Sequence, residues 1–159
     1  MKTAIINSPL GKIELTGDEN GLATVFFRDD DHEETKTDQI PPELAPAVTQ
    51  LNLYFEGKIT SFDLKLNPNG TDFQKKVWLQ LEKIPFGKTQ SYMDMARALG
   101  DTKVILAAAS ANGKNPIGII IPCHRVIGSD NTLTGYAGGL WRKKWLLEHE
   151  SPVRQTSLF

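Results

Sequence analysis

The sequence predicts an α+β chain in two parts: a small N-terminal lobe built on an antiparallel sheet, then a mostly helical lobe with a helix-turn-helix. Three observations lead there. Short β-branched runs alternate with glycine turns over the first thirty residues. From Gly70 onward, two capping-box matches open runs whose apolar residues recur at helical spacing. A tight glycine-containing turn then joins two short helical runs. At 159 residues, 40% hydrophobic and 23% charged, the composition is that of a globular chain forming one domain or two small lobes.

In order, residues 2–7, 11–16 and 22–28 read as strands. Pro9-Leu10-Gly11 and Gly17-Asp18-Glu19-Asn20-Gly21 turn between them. The acidic stretch Asp29 to Glu34 reads as a solvated loop, and Asp31 and His32 in it are not expected to bind metal. Pro41-Pro42-Glu43 opens a helix to about Phe55, ended by Gly57, with Leu44, Val48, Leu51 and Phe55 as its core face. Phe62 to Leu66 alternates and reads as a short strand. Asn67-Pro68-Asn69-Gly70 is a turn and the boundary between lobes, giving 1–69 and 70–150, with 151–159 as a loose tail.

In the second lobe, Thr71 and Gln74 fit a capping box, and Phe73, Val77, Trp78 and Leu81 line one helix face until Pro85 and Gly87. Ser91 and Asp94 open a helix to about Leu99, with Gly100 behind it. Asp101 or Thr102 caps the next, which runs to about Asn112. Its residues Ala107, Ala108, Ala109, Ser110 and Ala111 are all small, so its backbone can approach a DNA groove or another helix closely. After Ile117 to Ile121, read as a buried strand, come a turn at Gly128 to Thr132, a glycine-rich loop at Thr134 to Gly139, and a helix from Leu140 to about Glu150. That helix is expected to bury Leu140, Trp141, Trp145 and Leu146.

Charge and cysteine usage narrow the chemistry. Residues 1–70 carry 6 Lys/Arg against 12 Asp/Glu, a net of −6, and residues 71–159 carry 12 against 7, a net of +5. The basic half suits a polyanion. No apolar run is long enough to span a bilayer, Met1 to Asn7 lacks the apolar core of a signal peptide, and the lone cysteine suits a reducing cytoplasm, where the protein is expected. The single cysteine, Cys123, can form neither an internal disulfide nor a Cys-rich zinc site, and neither metal nor cofactor is expected. Cys123 follows Pro122 and is flanked by His124 and Arg125, whose positive charge would favour the thiolate. An activated thiol needs a base and the base needs an orienting carboxylate. His124 fits the first role through a water, since adjacent side chains leaving a turn point apart. Glu150, Asp130 and Glu148 compete for the second.

Asn115-Pro116-Ile117-Gly118-Ile119-Ile120-Ile121-Pro122-Cys123-His124-Arg125-Val126-Ile127-Gly128, followed by Leu133-Thr134-Gly135-Tyr136-Ala137-Gly138-Gly139-Leu140, closely resembles the O6-alkylguanine-DNA alkyltransferases. The match extends through Lys143, Trp145-Leu146-Leu147 and Glu150. It also takes in Gly70-Thr71, Phe73-Gln74, Val77-Trp78, Leu81, Ile84-Pro85, Gly87 and Ser91-Tyr92. Residues 1–69 are similar only in general shape. The resemblance implies a ribonuclease H-like N-terminal lobe and a winged-helix-like second lobe. It further implies direct-reversal repair: a monomer binds double-stranded DNA, flips out O6-alkylguanine, and transfers the alkyl group irreversibly to Cys123.

The same resemblance implies the individual roles. His124 is the base, acting through a water, and Glu150 polarises it. Tyr92 offers a proton to the leaving guanine, and Asn115 braces the turn that carries the cysteine. Pro122, Val126, Tyr136, Ala137 and Gly138 surround the base. Thr102, Leu106, Ala107, Ser110, Ala111 and Arg125 face DNA. Two departures stand out. Leu106 occupies the place of the arginine that the family inserts into the base stack, and Ala137 replaces a serine found in some members. A lesion binder lacking the nucleophile, a thiol hydrolase and a helix-turn-helix regulator are the competing readings: the presence of Cys123 argues against the first, one event per Cys123 instead of turnover separates the second, and the alkyltransferases that are also regulators carry an additional N-terminal module with metal-binding cysteines.

Overall fold

The computed structural model describes residues 1–128 and 135–152. The described residues form two compact units, residues 1–69 with 116–120, and residues 70–115 with the chain from Ile121 onward.

In the first unit, β1 (Lys2–Ser8), β2 (Gly11–Asp18) and β3 (Gly21–Arg28) form an antiparallel meander in the order β1-β2-β3. Ala4 pairs with Leu15, Ile6 with Ile13, and Leu15 with Val25. In β2 the alternation that predicts a half-buried strand places Ile13 and Leu15 in the core and leaves Glu14 and Thr16 partly in solvent. The ladder slips at Thr16/Gly17. A Cβ on Gly17 would stand 2.8 Å from the Gly21 carbonyl oxygen, so this irregularity requires a glycine. Beyond β3, Arg28 is held by Glu14 at 3.0 Å and Asp30 at 2.6 Å, and Asp30 also meets His32 Nδ1 at 2.8 Å.

Helix α1 (Ala45–Phe55) buries Ala47, Val48, Leu51 and Tyr54. Phe55, expected in its core, is only half-buried, and Tyr54 takes the fully enclosed place. The predicted strand at 62–66 shrinks to one bridge, Leu66 against Leu22. Leu22 exchanges backbone hydrogen bonds with Lys65 and Asn67, and at Asp63 the Gln50 side-chain amide of α1 takes both the N–H and the carbonyl, at 2.9 and 3.0 Å.

The predicted strand at 117–121 likewise keeps only a bridge, Ile117 against Val25. The chain then turns tightly. Ile119 has φ of 70° at the centre of a turn closed by Ile120 N–H to Gly118 O at 2.8 Å, a γ-turn that costs a β-branched residue on the order of 1–3 kcal/mol. Ile117, Ile119, Ile120 and Ile121 are all buried, so the run is apolar because it is enclosed rather than because it is extended.

In the second unit, α2 (Asp72–Leu81) and α3 (Tyr92–Ala98) both begin with the capping boxes the sequence predicts, Thr71 with Gln74 and Ser91 with Asp94. Gly100 at φ 93° ends α3, and Asp101 caps a single 3₁₀ turn at 102–104 that leads into α4 (Ile105–Gly113). Helices α3 and α4 pack together as the helix-turn-helix. Two-residue strands β4 (Gln90–Ser91) and β5 (Val126–Ile127) pair in parallel, and α5 (Leu140–Glu150) closes the unit. The predicted turn at 128–132, except Gly128, and Leu133-Thr134 lie outside the described residues, as do Asp130 and the tail from residue 153.

Candidate active site

The site residues come from five segments of the second unit, brought together by short local devices. Register places Gln90 beside Val126 and Ser91 beside Ile127, so Tyr92, the first residue of α3, leaves the sheet alongside the strand that follows the cysteine. An inverse γ-turn at Pro122, closed by Cys123 N–H to Ile121 O at 2.8 Å, starts the 3₁₀ turn Cys123–Arg125. The Asn115 side-chain amide donates to the same Ile121 carbonyl at 2.7 Å, which braces the turn.

Behind Cys123 lies a buried ionic cluster. Glu150, 2% exposed, accepts from His124 Nε2 at 2.8 Å and from Arg125 at 2.8 and 3.1 Å. Arg125 completes its fork with the Ile84 carbonyl at 2.6 Å. Burial pushes the Glu150 carboxyl up, but the His124 ring and the Arg125 guanidinium outweigh it and bring its pKa down to about 2. For His124 burial prevails over the carboxylate and lowers the pKa. A neutral ring beside a carboxylate held ionic by Arg125 must carry its proton on Nε2. Nδ1 is then the basic nitrogen; it is buried and has no hydrogen-bond partner among the described residues.

Arg125, expected to face DNA, is therefore turned inward and occupied by Glu150. It does not supply the positive charge expected beside the thiol. Burial raises the Cys123 pKa above its ordinary 9.0, and the Asn115 amide and the Lys143 ammonium pull the other way. The resting thiol is protonated, and its activation requires a base. Of the competing carboxylates, Glu150 alone meets His124 among the described residues; Glu148 is exposed and lies 4.0 Å from Lys144.

The remaining predicted residues divide clearly. Thr102, Leu106, Ala107 and Ser110 are exposed along one side of the helix-turn-helix, Leu106 at 83%. Ala111 is not with them: it is buried, and its carbonyl accepts from Trp78 Nε1 at 2.9 Å, so it anchors α4 on α2. Pro122 and Val126 are buried beside the cysteine turn, Tyr136 and Gly138 are half-buried, and Ala137 is exposed.

Comparison with known proteins shows the family of the chain. Residues 1–68 match the model of the 6-O-methylguanine DNA methyltransferase ribonuclease-like domain, and residues 72–152 that of its DNA binding domain. The chain belongs to the O6-methylguanine DNA methyltransferase family. A methylated-DNA–protein-cysteine methyltransferase of Methanosarcina barkeri is 50% identical over 149 residues, covering 92% of this chain and 94% of the relative. The Mycobacterium tuberculosis protein of the same name is 45% identical over 147 residues, covering 91% and 89%. The crystal structure of the M. tuberculosis O6-methylguanine methyltransferase superposes with a TM-score of 0.81 at 43% identity, over 98% of this chain and 96% of that one. That of M. tuberculosis OGT in complex with DNA gives 0.82 at 44% identity, over 93% and 92%.

Within this methyltransferase, sequence reasoning placed the wrong residues of α5 inside. Leu140 and Trp141, expected in the core, are 48% and 57% exposed, and Trp145 is half-buried, whereas Arg142, Lys143 and Glu150 are enclosed with Leu146 and Leu147. Lys143 is fully buried, and its ammonium donates to the Val126 carbonyl at 2.7 Å. Burial lowers its pKa to about 8, and the neighbouring Cys123 side chain works in the opposite direction. The signal was spacing: counting from Lys143, positions +3, +4 and +7 are Leu146, Leu147 and Glu150, one helical face. Set between Arg142 and Lys144, Lys143 reads instead as part of a solvated basic run.

Proposed function

We propose that the protein repairs O6-alkylguanine in double-stranded DNA by direct reversal, with Cys123 as a nucleophile used once. The observation that carries this reading is the buried Glu150–His124 pair, which leaves Nδ1 as an unpartnered base one residue from the only cysteine. A water held by Nδ1 takes the Cys123 proton, and His124 stores it as imidazolium against Glu150. The thiolate attacks the alkyl carbon, so an S–C bond forms as the C–O6 bond breaks. Guanine leaves as its anion and takes a proton from the Tyr92 hydroxyl, which the stored proton then restores through solvent. The product thioether has no leaving group that water can displace readily, so each chain reacts once.

The other residues are assigned as follows. Asn115 holds the turn, Arg125 fixes Glu150 as a carboxylate, and the backbone at Cys123 and Val126 reads the guanine amino edge. Pro122, Tyr136, Ala137 and Gly138 enclose the base, with Arg142 Nη1 holding the Gly138 carbonyl at 3.0 Å. Thr102, Leu106, Ala107 and Ser110 face the duplex. An apolar side chain can part a base step, and Leu106 is the exposed wedge that does so here. We assign alkyl transfer and DNA binding to residues 70–150, acting in a monomer, and place the protein in the cytoplasm, where a lone thiol stays reduced. O4-alkylthymine presents the same alkyl–oxygen bond and is a second substrate to assay.

Intact mass after incubation with DNA containing O6-methylguanine tests the reading. One methyl per chain is expected, located on Cys123 and absent in Cys123→Ala. Unmodified wild-type protein refutes it, and repeated turnover identifies a hydrolase.

A further inference from the structure

We propose that Trp141 is a stacking platform for the DNA strand that carries the lesion, beside the segment Tyr136–Gly139 that encloses the base. The proposal rests on the alkyltransferase reading above and adds a contact to it.

Trp141 lies in the first turn of α5 with more than half of its surface in solvent, next to Leu140, which is 48% exposed. Tryptophan has a large apolar ring, and a helix with an enclosed face available, bearing Leu146 and Leu147, gains by burying it. Here the enclosed face takes Arg142 and Lys143 and leaves the indole out. The ring is nonetheless held. The Arg142 guanidinium lies over it, 4.7 Å from the centroid. On another side Gly139 lies beside it: a Cβ there would be in ordinary van der Waals contact with the indole, 3.5 and 3.6 Å from Cδ1 and Nε1. Arg142 is itself buried and bonded to the Gly138 carbonyl, so one guanidinium fixes both the ring and the loop over the base. The indole N–H has no partner among the described residues and is available to a phosphate or sugar oxygen.

A fixed aromatic with exposed surface is the element that proteins use to stack nucleobases, a contact that tolerates any sequence because every base has a π face. The charge around it selects the same occupant. Of the three cations that follow Trp141, Arg142 and Lys143 are buried, and Lys144, partly in solvent, meets Glu148 only at 4.0 Å. This suits a phosphate-bearing strand better than an apolar protein surface. The platform also continues directly from the loop that closes the site, so a strand whose guanine is seated beneath Tyr136–Gly138 has its neighbouring nucleotide at hand. The occupant assigned is the nucleotide adjacent to the flipped guanine.

Trp141→Ala and Trp141→Phe test this in single-turnover reactions with two substrates: O6-methylguanine in duplex DNA over a range of concentrations, and free O6-benzylguanine. The alanine variant should need on the order of tenfold more DNA to reach half-maximal rate. The phenylalanine variant should recover most of that loss, and both should react with the free base at the wild-type rate. Three outcomes overturn the platform: an unchanged DNA dependence in Trp141→Ala, an equal slowing on both substrates, which makes the ring only a brace for the loop, or a wild-type dimer that Trp141→Ala splits, which makes a second copy the occupant. A wild-type protein left unmethylated overturns the alkyltransferase reading itself and so is distinguished from all three.

Discussion

In β2 the side chains withdrawn from water are Ile13 and Leu15; in α5 they are Arg142, Lys143 and Glu150 beside Leu146 and Leu147. Both elements are amphipathic and both have a buried face, but the burial does different things. The strand's apolar residues need only be hydrophobic and of suitable volume, because dispersion and water exclusion are not directional. The helix's charges need particular partners: Glu150 needs Arg125 and His124, and Lys143 needs the Val126 carbonyl. A charge left buried without its partner costs far more than a missing methylene. The N-terminal sheet thus supplies stability with ordinary tolerance, and the second unit commits stability to holding a neutral histidine beside a fixed carboxylate.

The largest effect is expected at Glu150. Glu150→Gln strands Arg125 and removes the acceptor that fixes the His124 tautomer. It should cost about 3–5 kcal/mol in urea unfolding, and methyl transfer by the folded fraction should slow about 100-fold or more. Wild-type stability in this variant would show that the site's charges are as exchangeable as the sheet's apolar atoms, and the contrast would collapse. Leu15→Ala in the sheet should cost about 2–5 kcal/mol through lost contacts and a cavity, with the single-turnover rate of the folded protein unchanged. A slower rate in that variant would mean that the sheet does more than stabilise.

Acid separates the two regions further. His124 titrates below its ordinary 6.5 in the folded protein, so the unfolded chain binds that proton first and stability declines as pH falls below 6.5. Glu150 contributes in full above its ordinary 4.5 and loses its contribution as pH falls toward about 2, a change of about 3 kcal/mol. Urea midpoints between pH 7 and 3 should drop in two stages in the wild type and in Leu15→Ala, whereas Glu150→Gln should lack the lower stage. Methyl transfer should fail on the acid side as well, once Nδ1 is protonated.

The smallest effect is expected at Leu106. Leu106→Arg adds a charge-assisted donor at the exposed point of α4 and should speed reaction with duplex DNA about tenfold, while leaving reaction with free O6-benzylguanine within twofold. An unchanged duplex rate would show that the apolar wedge loses nothing by lacking a charge.

The legibility of these features follows from their range. Strands β1 to β3 are readable because alternation and glycine turns are local, and both capping boxes are readable because their partners lie three residues apart. The stretch 62–66 has a strand's alternation yet gains only one bridge, and at Asp63 the backbone hydrogen bonds go to the side chain of Gln50, thirteen residues away, a partner no local pattern announces. Ile117 to Ile121 misleads for a related reason, since a buried γ-turn and a buried strand demand the same apolar residues. Around the site, resemblance carried the names Cys123, His124 and Glu150, but the inward turn of Arg125 depends on where Glu150 and the Ile84 carbonyl stand in space.

By itself, then, the amino-acid sequence determined the two-lobed α+β architecture, the helix-turn-helix, the lone thiol in its Pro-Cys-His-Arg setting, and the family. Tertiary structure alone decided what is inside: that Arg125 and Lys143 are buried, that Trp141 is not, that Ala111 belongs to the core, and that the guanidinium of Arg125 is turned to Glu150. The physical reason is that local patterns are set by torsional preference and periodicity over a few residues. The energy of a buried charge depends on partners 17 to 41 residues away along the chain, which only folding brings to hydrogen-bonding distance.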